Sequence, residues 1–102
     1  MTEWRFLTNH ARALVCIARD PGMRLKDIAA SIGVTERSAF AIVGDLIKGG
    51  YVAKEKDGRR NRYDIHIDAP LGEALGRQRK IGEFLALLVD SQPLEDAPER
   101  SA

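Results

Sequence analysis

A chain of 102 residues with 44% apolar and 30% charged side chains supports one globular domain and leaves little for a second. Its formal charge of +1 offers no bulk attraction to nucleic acid, and no apolar run approaches the ~20 residues of a membrane span. The lone Cys16 excludes an internal disulfide and any multi-thiolate metal site, and its apolar neighbours Leu14, Val15 and Ile17 suggest a buried, inert thiol.

Charge is unevenly spread. Residues 1–70 hold 12 Lys/Arg against 9 Asp/Glu, whereas residues 71–102 hold 4 against 6. An anionic partner is therefore expected to meet the first part of the chain. The opening residues carry no signal-peptide pattern, so a reducing, cytoplasmic location is expected. A domain this small buries a modest share of its surface, which leaves room for stabilisation by a partner subunit.

Thr8 or Asn9 can cap a first helix, in which Ala11, Leu14, Val15 and Ala18 recur at helical spacing until Asp20-Pro21-Gly22 stops it. Residues 26–32, KDIAASI, read as a second helix with Ile28, Ala29 and Ile32 on one face, ending at Gly33. Thr35 caps a third helix that runs to about Lys48 and stops at Gly49-Gly50. Two helices joined by a short glycine-containing turn, with apolar Val34 inside it, form a helix-turn-helix pattern.

Strands are expected at 51–56 and 61–67, joined by Asp57-Gly58-Arg59-Arg60, where Asp-Gly is a hairpin signal. Tyr63, Ile65 and Ile67 alternate with Arg62, Asp64 and His66, giving one buried and one wet face. After Asp68-Ala69-Pro70, residues 71–89 read as a final helix with Leu75, Ile81, Phe84, Leu85 and Leu88 roughly on one side. Residues 91–102 have the composition of a disordered tail, so the domain is expected to span 1–90.

The third helix has an uneven surface. At about 100° per residue, Ala39, Val43, Leu46, Ile47 and Gly50 cluster on one side with Ile42 at its edge. The far side holds Arg37, Ala41, Asp45 and Lys48, with Ser38 nearby and Phe40 on the boundary. Any amphipathic helix keeps a polar face. This one, however, follows a helix and turn and precedes a basic hairpin, the order of a winged helix, whose third helix enters the major groove. There Ala41 and Gly44 would let the backbone approach, and Arg37 and Ser38 would reach base edges. Thr35 and Lys26 would meet phosphates. Glu36 would face a cytosine amino group, hold Arg37 or Arg24, or simply favour the helix N-terminus. The hairpin segment KEKDGRRNR has five Lys/Arg and two acids. Its charges either deter edge-to-edge pairing or make a wing that grips DNA through Arg59, Arg60, Asn61 and Arg62.

The segment LKDIAASIGVTERSAFAIVGDLIKGGYV, followed by GRRNRYDIH, resembles the winged helix-turn-helix domain of bacterial MarR-type transcription regulators. It is most similar to small stand-alone members common in actinobacteria, over about residues 4 to 90. The resemblance implies an α+β, mainly α fold: a three-helix core, a β-hairpin wing and a C-terminal dimerisation helix. It also implies a homodimeric, sequence-specific DNA-binding regulator, with recognition helix 35–48 and wing 57–62. The chain lacks room for the longer helices that build an effector pocket in full-length MarR proteins. It also lacks the paired cysteines of ArsR-type metal sensors.

For dimer contacts, the candidates are Trp4 and Phe6, which otherwise close the core, and Ile81, Phe84, Leu85 and Leu88, which otherwise fold back onto it. A homodimer would present two recognition helices to a palindromic double-stranded operator. His10 reads as a first-turn helix residue and His66 as an outward strand residue, neither at metal-ligand spacing. No cofactor and no enzymatic activity are expected, since no catalytic grouping is visible. The competing expectation is a winged-helix module that binds protein rather than DNA.

Overall fold

The computed structural model describes residues 5–58, 60–72 and 78–89. The chain runs α1 (Asn9–Arg19), α2 (Leu25–Ile32), α3 (Glu36–Lys48), β1 (Val52–Asp57), β2 (Arg60–Ile65) and α4 (Ile81–Leu88). It is an α+β, mainly helical arrangement compatible with a winged helix. Among the described residues no helix is long and apolar enough to cross a membrane.

Helix starts follow side-chain chemistry. Thr8, not Asn9, caps α1: its Oγ1 accepts the Ala11 N–H at 3.1 Å. Thr35 caps α3 in the same way, accepting from the Ser38 N–H at 3.0 Å. Helix α2 begins one residue earlier than KDIAASI suggests, because Leu25 already has helical conformation after extended Arg24. It ends at Gly33, whose φ of 78° is left-handed and suits a residue without a Cβ. The freed Ile32 carbonyl accepts from Arg12 Nη1 at 2.9 Å, tying α1 to the end of α2. The turn is held further by the Val34 N–H, which donates to the Ala29 carbonyl.

The core lies where α1, α2 and α3 meet the base of the hairpin. Ala13, Leu14 and Ile17 face Ile28 and Ile32, and Ala39, Ile42, Val43 and Leu46 close the third side. Two expectations for α3 change here. Ile42, placed at the edge by periodicity, is buried, and Ile47, placed in the core, is 36% exposed. The buried arc is turned toward Ile42, and α3 packs against both α1 and α2. Cys16 is half-buried rather than buried.

The hairpin registers Val52 with Ile65 through Asp57 with Arg60, and Gly58 follows β1. Gly58 takes φ 69°, the turn geometry that Asp-Gly signalled. Tyr63 is buried, as alternation required, and burial pushes its phenol above the ordinary value of 10.0. Its backbone N–H donates to the Pro21 carbonyl at 3.0 Å, so the loop after α1 meets the outer side of β2. Ile67 was expected to continue the buried face but is 58% exposed. The strand stops at Ile65, and the bond from the Ala69 N–H to the His66 carbonyl turns the chain away.

The largest correction concerns residues 71–89. The helix starts only at Ile81, and Leu71, Gly72 and residues 78–80 lie outside it. Pro70 and Lys80 form an isolated bridge, the Leu71 N–H donates to the Arg79 carbonyl at 2.7 Å, and Gly72 takes φ 81°. The chain therefore doubles back before the helix begins. Glu83 supplies the new start by accepting from the Lys80 N–H at 3.0 Å. Two backbone bonds then fix α4 to the chain leaving the hairpin: Ile81 N–H to the Ala69 carbonyl, and Gly82 N–H to the Ile67 carbonyl. A Cβ at Gly82 would lie 2.9 Å from that of Ile67. Leu75, the tail expected at 91–102 and the domain end at residue 90 lie outside the described residues.

Candidate nucleic-acid interface

Burying Ala39, Ile42, Val43 and Leu46 sends the opposite face of α3 outward. Arg37, Ala41, Gly44 and Lys48 are all exposed and succeed one another along that ridge at helical spacing. Among the described residues, Arg37 has no hydrogen bond or ion pair. Glu36 occupies the first turn, fully outside the core, where a carboxylate favours the positive end of the helix. The Thr35 hydroxyl is engaged within the cap, since it also donates to Ser38 Oγ at 3.1 Å. Ser38 thereby keeps its own proton for an outside acceptor. Lys26 is exposed in the first turn of α2.

Gly44 is the telling residue on the ridge. It sits mid-helix with no positive φ, and an added Cβ there would meet nothing within 4 Å. Glycine in a helix interior costs about 0.8–1.0 kcal/mol relative to alanine. Among the described residues nothing requires that cost.

The hairpin divides its charges between two faces. Lys54 pairs with Tyr63 and Lys56 with Asn61, so both lysines and Asn61 share the Tyr63 face, which is turned toward α3. Glu55 pairs with Arg62 on the opposite face, and Arg62 Nε lies 3.8 Å from Asp64 Oδ1. Arg62 does point outward, but with carboxylates on both sides. Lys54 and Lys56 have no ion pair among the described residues. Arg59 lies outside the described residues, and of Arg60 only the backbone, paired with Asp57, is described.

Between α3, the start of α2 and the hairpin runs a groove of about 420 Å³. Val43 and Tyr63 form its floor, Phe40, Gly44 and Ile47 one wall, and Met23 part of the other. Arg24, Lys54 and Asn61 stand around it and are exposed. Sequence periodicity left Phe40 on a boundary, and it is 67% exposed. The packing of the hairpin beside α3 brings Arg24 and Lys54 to this groove, a placement their positions in sequence do not reveal. The alternation of Lys54 with Lys56 on the face of Tyr63 was the available signal.

The histidines have structural partners. His10 Nε2 donates to Asp45 Oδ2 at 2.8 Å, joining α1 to α3, and His66 Nδ1 donates to the Gly50 carbonyl at 2.7 Å. The proposed dimer residues separate. Ile81 and Leu85 are buried in the protomer's own core, so they are not available to a partner. Phe6 is 88% exposed, Leu88 46% and Leu87, not singled out by the sequence, 84%. Phe84 is half-buried between them and the core, and Trp4 lies outside the described residues.

No protein-family model matches the chain, and no curated protein matches it.

Proposed function

We propose that the chain is a sequence-specific, double-stranded-DNA-binding transcription regulator that acts as a homodimer. In this reading α3 enters the major groove along Arg37, Ala41, Gly44 and Lys48, and the hairpin serves as a wing on the backbone or minor groove. Arg37 and Ser38 contact bases, while Lys26, Lys54, Lys56 and the wing-tip arginines neutralise phosphates. The observation that carries the reading is Gly44, an exposed mid-helix glycine with open space around it, on the same ridge as Arg37, which is unpaired among the described residues. A major groove accepts a helix but crowds long side chains, so a bare backbone position there has a use. Dimerisation draws on the exposed Phe6, Leu87 and Leu88, and a dimer bound at a promoter acts as a repressor.

Selection of bound sequences from a random DNA pool, with light scattering for the oligomeric state, tests the reading. Enrichment of a palindrome by a dimer supports it, and no enrichment at low salt rejects it. Gly44→Ala separates stability from function. Urea unfolding should show a gain of about 0.8–1.0 kcal/mol, while affinity for the selected site falls. An unchanged affinity would show that nothing approaches this part of α3. For the wing, Lys54→Ala with Lys56→Ala should lower the slope of log K against log salt by about 0.9 per lost phosphate contact. Arg62→Ala, whose charge is already balanced by carboxylates, should move the slope less.

A second reading has one observation in its favour. Phe40 at 67% exposure beside Ile47 is the kind of apolar surface that a protein partner covers. On that reading the same fold is a protein-binding module, and the pool selection returns nothing.

A further inference from the structure

We infer that Phe40, working with Gly44, reads the C5 methyl group of thymine, which makes it a specificity-determining residue on the groove side of α3. The inference rests on the reading that α3 enters the major groove. The side chain is 67% exposed, whereas Ile42, Val43 and Leu46 of the same helix are buried. It follows Arg37 by three residues and precedes Gly44 by four, so the three lie along one side of the helix. Gly44, one turn on, leaves the helix surface open, with nothing, the Phe40 ring included, within 4 Å of where a Cβ would stand. Ile47 and Met23 continue the apolar surface, and Arg24 and Lys54 flank it with positive charge.

This combination selects its occupant. A surface apolar in the middle and cationic at the edges suits an object with apolar groups between anionic margins. A DNA major groove has that form: phosphates run along both borders, and the thymine methyl is the apolar group on its base edges. A phenyl ring beside a bare backbone position can cover that methyl, and cytosine offers it no equivalent. The arginine three residues earlier can meanwhile donate to a neighbouring purine.

The test uses the full chain and a DNA site selected from a random pool, with affinity read by fluorescence anisotropy. Each thymine in turn is replaced by deoxyuridine, which removes the methyl and leaves base pairing intact. Wild type should lose about fourfold at one or two positions, the equivalent of ~0.8 kcal/mol per buried methyl. Phe40→Ala should be indifferent to the same replacements. Its melting temperature should hold, because the ring is outside the core. Wild-type indifference to every deoxyuridine, with Phe40→Ala weakening all sequences alike, would overturn the inference while leaving DNA binding intact. Failure to retain any DNA from the pool would overturn the DNA reading and this inference with it.

Discussion

Truncating Ile28 to alanine should lower the unfolding free energy by about 2–5 kcal/mol. The side chain is fully buried at the centre of α2, among the largest such groups in the core. It is surrounded by apolar residues of α1 and α3, so its removal leaves a cavity that helices already packed together cannot fill by small shifts. Domains of this class hold about 5–15 kcal/mol in total, so the loss is a large fraction of the whole. The melting temperature should drop by roughly 10 °C or more. Urea titration monitored by far-UV circular dichroism checks the figure. A changed m-value would point instead to an altered unfolded or native compactness. The functional consequence is expected to exceed the loss of folded protein, because Ile28 lies in the core on which α2 and α3 both pack.

Arg37→Ala should produce the largest effect on DNA affinity, a loss of about 1–3 kcal/mol on the preferred sequence. Its side chain is exposed and unpaired among the described residues, so thermal melting should be unchanged. The preference at one base pair should flatten in a repeat of the pool selection. A bidentate guanidinium is geometrically distinct from an ammonium, so Arg37→Lys should recover charge but little of the preference. Equal loss on every sequence, with a shallower salt slope, would instead make Arg37 a phosphate contact.

Much of the frame can be read from local chemistry. Thr8 and Thr35 are caps whose hydroxyls need only the next turn of backbone, and Gly33 and Gly58 are turn positions set by their own φ. Such features depend on neighbours in sequence and are legible there. The burial of Ile42 and the exposure of Ile47 are not, because they depend on the side from which α1 and α2 approach. The final helix misled for a related reason. Its apolar stripe is real from Ile81 onward, but the stretch before it is claimed by the Pro70–Lys80 bridge, a contact invisible to periodicity. At the site, Arg37, Ser38, Ala41 and Lys48 emerge outward as helical spacing implies. The role of Lys54 and Lys56 depends on strand register, and that of Phe40 on the loop beside it.

The attachment of α4 has a mechanical consequence. Its first residues are bonded through main-chain groups to Ile67 and Ala69, just past the end of β2, and it also packs near α1. Main-chain bonds and a continuous peptide transmit displacement more stiffly than sliding side chains. A partner that holds α4 is therefore expected to restrain the chain at Ile67 and Ala69, and through it the end of β2.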